Sequence, residues 1–288
     1  MRDVQSKLDK CVVHYETRGQ GKPFIMLHGA GPDRRSMIGC MEPILIKRKG
    51  WQRIYPDLPG MGRTPAEEWI MNSDQILEVV IDFINSVIPD RHFLLAGDSY
   101  GGYLARGIIY RMASRVDGLL LLCPVIIANH AKRILPKHAT LMKRGSLPSD
   151  QYPEETKMFE SFAVVQTPEI FERTRTEVLS GFKIADTKFL DRIQTHGYPF
   201  TFDVDAPTVK FPKPTLILVG RQDSMVGYHD SLKILENYPR ATLAVLDRAG
   251  HNLQIEQECI FSSLLNEWLD RVDESSASVP QEQGERKP

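Results

Sequence analysis

Three side chains that together can carry out nucleophilic catalysis follow apolar runs at three places in the sequence. Ser99 lies in GDSYG, Asp223 in LVGRQDSMV and His251 in LDRAGHN. A serine hydroxyl needs a histidine to take its proton, and a carboxylate orients that histidine. Because the carboxyl ends of parallel strands meet at one edge of a sheet, the three groups can come together there. The occurrence of serine, aspartate and histidine, in that order along the chain, at three strand ends predicts Ser99 as nucleophile, His251 as general base and Asp223 as orienting acid.

The surroundings of Ser99 favour a nucleophile over an ordinary turn residue. The pattern G-x-S-x-G lies between an apolar run, HFLLA, and a helix-prone segment, YGGYLARGIIYRM. A serine on such a strand-to-helix turn is exposed at the sheet edge, and the glycines permit the strained backbone and close packing. A glycine-rich connection without chemistry is the alternative. The neighbouring Asp98 is expected to face away from the site or to cap the helix.

A second loop, LHGAGPD, also follows a buried apolar run. Attack on a carbonyl creates an oxyanion that backbone N–H donors must stabilise. We expect one donor from Tyr100, the residue after the serine, and the other from Ala30 in this loop. His28 lies in the same loop. We expect it to hold the loop by hydrogen bonding rather than to act as the base.

Alternating strand-like and helix-like segments predict the architecture that positions these residues. Apolar runs such as PFIMLHG, DGLLLLCP and PTLILVG alternate with helical patterns such as SDQILEVVIDFINSVI. This alternation predicts an α/β fold with a mostly parallel central sheet flanked by helices. We assign residues 1–125 and 206–272 to this core. Residues 126–205, which are richer in polar residues, are predicted to be a helical insertion, and residues 273–288 a disordered tail.

An aromatic group closes the predicted insertion. The stretch THGYPFTFD contains Tyr198, Phe200 and Phe202 beside His196. Aromatic side chains at such spacing are common in protein cores, and they also line apolar ligand pockets. Core packing and pocket lining both remain open for this group.

The composition excludes several classes of function. The 288-residue chain has a formal net charge of −1, which gives no basic footprint for nucleic acid. Its apolar runs are too short to span a membrane, and its first ten residues are too polar for a secretory signal. The four cysteines are widely spaced, so we expect reduced thiols and a cytoplasmic location. With no metal-ligand spacing and no phosphate loop, we expect no cofactor and no metal, only a small-molecule substrate; the oligomeric state is open.

Five motifs together resemble the α/β-hydrolase fold family. LHGAG, YPDLPGMGRT, AGDSYGG, LVGRQDSMV and DRAGHNLQIEQ match that family in order and spacing, from about Val12 to Val272. The resemblance implies an α/β-hydrolase core and makes the insertion at 126–205 a helical cap over the site. It implies a catalytic triad of Ser99, Asp223 and His251, with an oxyanion hole from Ala30 and Tyr100.

The resemblance does not select a subfamily. A serine nucleophile argues against haloalkane dehalogenases and epoxide hydrolases, which carry aspartate there. HGAGP is similar to carbon–carbon-bond hydrolases, but Asn252 follows His251 where many of those have tryptophan. Proline iminopeptidases also have a cap, but their HGGPG and GGSWGG motifs are not matched.

The predicted activity is hydrolysis of a small ester, amide or related carbonyl compound through an acyl-enzyme. Three alternatives stay open. The first is a carbon–carbon-bond hydrolase or an aminopeptidase similar to proline iminopeptidases. The second is a low-turnover ligand-binding receptor or signalling protein. The third is acyl transfer to an acceptor other than water, or a lyase on the same scaffold.

Overall fold

One mixed sheet forms the centre of the protein. The computed structural model describes residues 2–5, 11–206 and 209–277, and eight strands of these residues form the sheet in the order β1-β2-β4-β3-β5-β6-β9-β10. The strands are β1 (Arg2–Gln5), β2 (Val12–Arg18), β3 (Lys22–Leu27), β4 (Trp51–Pro56), β5 (Phe93–Asp98), β6 (Val116–Leu122), β9 (Thr215–Gly220) and β10 (Ala241–Leu246), with β7 (Met142–Lys143) and β8 (Val165–Gln166) paired separately. Only the pairs β1–β2 and β2–β4 of the described sheet are antiparallel. The predicted mostly parallel sheet is confirmed.

Helices flank the sheet because its central strands are apolar on both faces. Every residue of β5 and of β9 is buried, as is typical of parallel strands covered on both sides. The main helices are α1 (Arg34–Leu45), α2 (Ser73–Val87), α3 (Tyr100–Met112) and α9 (Glu258–Ala277). α1 packs against α9, and α2 packs against α3. The α/β-hydrolase architecture predicted from the sequence is therefore present.

The direction of chain progression across the sheet changes at β3. This strand lies between β4, which follows it in the chain, and β5, which is reached later. The carboxyl ends of β3 and β5 lie side by side, with Leu27 opposite Gly97 in the register. Such a switch point leaves a crevice at the carboxyl edge of the sheet, where ligands of open α/β sheets bind. The loops after β3, β5, β9 and β10 all leave from this edge, because these strands are parallel.

The chain between β6 and β9 contains several short helices. They are α4 (Pro153–Phe162), α5 (Pro168–Thr174), α6 (Ser180–Phe182) and α7 (Thr187–Arg192), with π-helical turns at Arg175–Leu179 and Ile193–Gly197. Phe159, Ala163 and Phe171 form a small hydrophobic cluster of their own here. The β7–β8 pair within this segment was not expected from the sequence. Its two-residue strands are too short to show an alternating pattern.

The last helix ends later than the sequence predicts. We expected disorder over 273–288, but α9 continues to Ala277. Its final turns are anchored: Arg48 pairs with Asp270 at 2.6 Å and with Asp273 at 3.3 Å, and the Ser276 hydroxyl donates to the Val272 carbonyl at 3.0 Å. These contacts compensate for the lack of apolar residues, so the prediction for 273–277 is wrong. Residues 278–288 lie outside the described residues.

The sequence also predicted reduced cysteines and apolar runs too short to span a membrane. All four cysteines fall in the described part of the chain and are free thiols, three of them buried and Cys259 exposed. None of the helices described here combines the length and the apolar character that crossing a bilayer would require.

Candidate active site

Ser99 lies on a strained turn between β5 and α3. Its φ of 52° is in the left-handed region, which costs a non-glycine residue free energy and is common at functional sites. The two flanking glycines are required by close backbone approach. A Cβ at Gly97 would lie 2.3 Å from the Gly101 carbonyl oxygen, and one at Gly101 would lie 2.4 Å from the Leu27 carbonyl oxygen. The strand-to-helix turn predicted for GDSYG is present.

His251 reaches Ser99 from the loop after β10. Its Nε2 lies 2.9 Å from the Ser99 Oγ, a hydrogen-bond distance between residues that are far apart in the chain. The loop passes close to the end of β9, where a Cβ at Gly220 would lie 2.3 Å from the Gly250 carbonyl oxygen. The imidazole is therefore positioned by two neighbouring strand ends. Its Nε2 can accept the serine proton when Nδ1 carries the other proton.

Asp223 holds the other side of the imidazole. Its Oδ2 lies 2.8 Å from the His251 Nδ1, so the Nδ1–H donates to the carboxylate. The Oδ1 accepts the backbone N–H groups of Met225 at 2.9 Å and Val226 at 3.0 Å. The carboxylate is almost completely buried, and both of its oxygens are used. This arrangement selects the tautomer in which Nε2 is free to act as a base.

The charge environment favours the protonated imidazole. Burial alone lowers the pKa of His251, but the charge and the hydrogen bond of Asp223 more than compensate. The carboxyl of Asp98 acts in the same direction as Asp223, and the net result is a raised His251 pKa. An imidazolium formed when the serine proton is transferred is therefore stabilised in place.

The loop after β3 is held in the way the sequence predicts. The buried His28 donates its Nδ1–H to the Gly29 carbonyl at 2.7 Å, and its Nε2 accepts the Leu58 N–H at 2.9 Å. Burial lowers the pKa of His28, which keeps the ring neutral. Both ring nitrogens are occupied, so His28 holds the loop and is not available as a base. Ala30 follows in this loop and lines the cavity, while Tyr100 begins α3.

Asp98 does not face away from the site, which corrects the expectation from the sequence. Its carboxyl lines the cavity beside Ser99, and its buried Oδ1 has no hydrogen-bond partner among the described residues. It does not cap α3 either, because Ser99 holds the cap position without a side-chain hydrogen bond. Burial raises the pKa of Asp98 to about 7; the His251 charge opposes this shift and Asp223 reinforces it.

Sequence reasoning missed Glu256, which joins the His251 loop to the insertion. Glu256 lies in α8 (Leu253–Glu256), and its Oε2 accepts the Gly250 N–H at 2.5 Å. Its Oε1 accepts the N–H groups of Val164 at 2.7 Å and Val165 at 3.2 Å. One buried carboxylate thus connects the residue before His251 to β8. In the sequence, Glu256 is a single acidic residue in the mixed polar and apolar stretch NLQIEQ, which gives no signal of this role.

A cavity of about 360 Å³ opens above Ser99 and His251. Its lining is mainly apolar, with Arg133, Asp98 and Gln194 among the polar exceptions. The two π-helical turns of the insertion supply Val178 and Gln194, in keeping with the frequent use of π turns at functional sites. Ser99 and His251 line this cavity together with side chains from the segment between β6 and β9.

Some aromatic residues at the end of the insertion line the pocket and others pack in the core, so each of the two alternatives left open by the sequence applies to part of the group. Tyr198 lines the cavity, whereas Phe200 and Phe202 stack with Tyr103 and Tyr110 against α3. The Tyr103 hydroxyl also accepts the Phe200 N–H at 2.8 Å. His196 is not among the residues that line the cavity. Pocket lining therefore applies to Tyr198 and packing to the two phenylalanines.

One group of possible metal ligands overlaps this site. Ligand atoms of Cys123, Asp223 and His251 lie within 4.8 Å of one another. Burial raises the pKa of the Cys123 thiol well above its ordinary value, which disfavours the thiolate that binds metals. Both Asp223 oxygens and both His251 nitrogens are already in hydrogen bonds. The donor set therefore fits a hydrogen-bonded triad better than a metal centre.

Comparison with known proteins agrees with this geometry. A family model described as "Alpha/beta hydrolase family" matches residues 24–259. A solved alpha/beta superfamily hydrolase from Oenococcus oeni PSU-1 has a TM-score of 0.86 and 32% identity, covering 95% of this chain and 100% of that one.

Two characterised types of hydrolase are also similar over nearly the whole chain. A 2-hydroxymuconate semialdehyde hydrolase from Pseudomonas sp. (strain CF600) is 24% identical over 90% of this chain and 91% of its own. A pimeloyl-(acyl-carrier protein) methyl ester esterase from Legionella pneumophila (strain Paris) is 25% identical over 89% of this chain and 99% of its own. With the family model, the fold and these relatives in agreement, the chain belongs to the alpha/beta hydrolase family and is a hydrolase.

Proposed function

We propose that this hydrolase cleaves a small-molecule ester, amide or related carbonyl compound with Ser99 as nucleophile, His251 as general base and Asp223 as orienting acid. The observation that carries the proposal is the continuous chain of hydrogen bonds. Asp223 Oδ2 lies 2.8 Å from His251 Nδ1, and His251 Nε2 lies 2.9 Å from Ser99 Oγ. This chain ends at a serine on the wall of a cavity, which is where a substrate carbonyl can be attacked.

The first half of the reaction forms the acyl-enzyme. Ser99 Oγ attacks the carbonyl carbon while its proton passes to His251 Nε2. The carbonyl π electrons move to oxygen, and the N–H groups of Ala30 and Tyr100 stabilise that oxyanion. When the carbonyl reforms, the bond to the leaving group breaks, and the leaving group takes the proton from His251.

The second half releases the acid. Water gives a proton to His251 Nε2 and attacks the acyl carbon, and the same two N–H groups stabilise the second oxyanion. Collapse of this intermediate breaks the bond to Ser99 Oγ, which recovers its proton from the imidazolium. Asp223 remains ionised throughout and stabilises the imidazolium formed in both halves.

The insertion at 126–205 is proposed to be a cap that sets the substrate. Met158, Phe162, Val178, Phe182 and Tyr198 from this segment line the cavity. A volume of about 360 Å³ is in the range of small-molecule pockets. Between an ester, an amide and a carbon–carbon bond, the triad alone does not discriminate. The cytoplasmic location and the absence of a nucleic-acid partner stay predictions from the sequence.

The direct test replaces Ser99 by alanine. The Ser99→Ala protein should lose turnover of p-nitrophenyl esters, aminoacyl anilides and vinylogous diketones, whichever class the wild type accepts, by on the order of 10⁴-fold or more. The matched control is Ser263→Ala, because Ser263 is exposed on α9. Full turnover in Ser99→Ala would show that the nucleophile is assigned wrongly. A single turnover with a stable adduct on Ser99 in the wild type would favour the receptor alternative.

A further inference from the structure

Arg133 brings a guanidinium to the wall of the cavity that contains Ser99. Three of its N–H groups are bound to backbone carbonyls: Nε to Ile127 at 2.8 Å, Nη2 to Ala128 at 3.2 Å and Nη1 to Met225 at 3.0 Å. A guanidinium has five N–H groups, so these bonds leave one on each terminal nitrogen without a carbonyl partner. The neutral Tyr198 hydroxyl lies close enough to interact with the guanidinium. The side chain is held between the segment after β6 and the loop that follows Asp223.

Arg133 lines the cavity and has no acidic partner in the described part of the chain. The half-buried Arg115 and Arg192 also bind only carbonyl oxygens, but neither of them lines the cavity. The more buried inward-facing arginines are paired with acids. Arg34 pairs with Asp57, Arg53 with Glu42 and Arg106 with Asp205. Among the residues that the structure describes, no carboxylate forms an ion pair with the half-buried Arg133. A charge that loses part of its water without a counterion is costly, and such a charge on a cavity wall is a binding group for a ligand of opposite sign.

The local sequence adds positive charge around Arg133. Residues 124–149 contain five basic residues and no acidic one, although the whole chain has a net charge of −1. The five are Lys132, Arg133, Lys137, Lys143 and Arg144. Of these, Lys143 is paired with Glu160 at 3.0 Å. Of the five, Arg133 is the one that lines the cavity. The others add positive charge to the same stretch of chain, and a local excess of one sign attracts oppositely charged ligands.

The carboxyl of Asp98 does not neutralise this cation. It lies on the side of the oxyanion loop, where a Cβ at Gly29 would be 3.4 Å from its Oδ2. Arg133 is instead held by the Met225 carbonyl, on the side of the Asp223 loop. Burial raises the pKa of Asp98 to about 7, so protonation near neutral pH reduces the negative charge of this group. An anionic ligand at Arg133 is therefore repelled less than it would be by a carboxyl with an ordinary pKa.

We propose that the substrate carries a carboxylate, remote from the bond that is cleaved, which pairs with the N–H groups of Arg133 that have no carbonyl partner. The inference rests on the proposed function and narrows its substrate class to acyl compounds with a second, anionic end. Two N–H groups on the two terminal nitrogens suit the two oxygens of a carboxylate. The guanidinium carbon also lies 5.9 Å from the centre of the Tyr198 ring, which leaves an apolar surface beside the ion pair.

The test compares charged and neutral substrates that are otherwise matched. The probes are p-nitrophenyl monoesters of straight dicarboxylic acids of increasing length, each with its neutral far-end methyl ester. At the best length, wild type should prefer the free acid in kcat/KM by about 10- to 100-fold. Arg133→Met should remove most of that preference, with the free acid losing far more than the methyl ester. Arg133→Lys, which keeps the charge, should retain part of it.

The matched control is Lys132→Met, which removes an exposed cation next to Arg133 that does not line the cavity. Its acid-to-ester ratio should stay near that of wild type. An equal loss for both substrates in Arg133→Met would overturn the proposal, since it would make Arg133 only a link between two loops. A wild-type preference for the methyl esters at every length, or for phosphate-ended analogues over carboxylates, would overturn it as well.

A binding experiment separates this proposal from the proposed function. Glutarate should bind the Ser99→Ala protein in calorimetry, and the Arg133→Met change should weaken that binding by at least tenfold. If Ser99→Ala still hydrolysed the esters, the assignment of the nucleophile would fail while glutarate binding still reported on Arg133. If glutarate bound equally with and without Arg133, the carboxylate proposal alone would fail.

Discussion

The core and the insertion contribute to the site in different ways. The core presents Ser99, Asp223 and His251 from the ends of three strands, with their reactive atoms joined by hydrogen bonds. The insertion presents mainly apolar side chains from short helices and π turns, and has a small hydrophobic cluster of its own. Backbone at strand ends fixes reactive groups precisely enough for proton transfer, whereas a helical segment can change its lining without disturbing them. This difference is the basis for proposing that the core determines which reaction is catalysed and that the insertion determines which substrate is bound.

The variant with the largest expected effect tests whether residues of the core carry the reaction. Asp223→Asn should keep the bonds from Met225 and Val226, because the asparagine side-chain oxygen can accept them. Its amide would then face His251 Nδ1 and favour the wrong tautomer, so kcat should fall on the order of 10⁴-fold. Steady-state kinetics on the best substrate measures this.

The control for this change is Asp247→Asn, since Asp247 is exposed and accepts only a surface hydrogen bond from Gln222. It should retain nearly full activity. A loss of less than tenfold in Asp223→Asn, with circular dichroism showing a folded protein, would mean that the imidazole does not depend on this carboxylate.

The second prediction concerns the point where the two regions meet. Glu256→Gln keeps one oxygen but turns an amide toward the N–H groups of Gly250 or Val164. Charge-assisted bonds are lost and a donor then faces a donor, so we expect the free energy of unfolding to fall by about 2 kcal/mol. Because Gly250 precedes His251, kcat should fall by about 10- to 100-fold while KM changes little.

Thermal denaturation and steady-state kinetics measure the two effects in the same protein. Glu267→Gln is the matched control, because it breaks only the exposed pair with Arg271 on α9. Its effect on stability should be below about 0.5 kcal/mol. A Glu256→Gln enzyme with reduced stability but unchanged kcat would show that the carboxylate supports the fold without positioning His251.

The sequence predicted the parts of the site that local backbone requirements determine. A serine between glycines after an apolar run requires a strained turn, and the structure has that turn at Ser99. The role of His28 as the residue that holds its loop was also predicted, although one of its two bonds is local, to Gly29, and the other reaches Leu58. The mostly parallel sheet flanked by helices followed from the alternation of apolar runs and helical patterns, which needs no knowledge of distant contacts. The α/β-hydrolase fold itself was implied by the resemblance of five motifs to that family.

Contacts between distant segments account for what the sequence did not predict. Glu256 binds N–H groups some ninety residues away, and backbone donors leave no mark in side-chain pattern. The proposal of Arg133 as a binding group depends on its carbonyl partners, its lack of an acid and its place on the cavity wall, none of which the local sequence shows. Near its end, α9 pairs through Asp270 and Asp273 with Arg48, a residue in another part of the chain. In each case the local sequence around a polar residue shows nothing unusual, and the role of that residue becomes clear only from the distant group that it contacts.

The smallest expected effect concerns Asp98, a core residue whose side chain faces the space enclosed by the insertion. Its carboxylate helps to raise the pKa of His251, so Asp98→Asn should lower that pKa. Because only the neutral imidazole is a base, the acidic limb of kcat/KM against pH should move to lower pH. Asp98 itself has a pKa raised to about 7, so this limb in the wild type contains two coupled ionisations and should become a single one in the variant.

A pH profile of wild type and Asp98→Asn on a neutral substrate measures this shift, with Asp247→Asn as the control whose limb should not move. The neutral substrate matters, because an anionic one would report on its own pairing with Arg133 as well. A limb that moved to higher pH would mean that Asp98 acts on His251 mainly as a hydrogen-bonding group and not through its charge. In that case the electrostatics of the base would depend on Asp223 and on the insertion's Arg133, and the two regions would share control of the reaction itself.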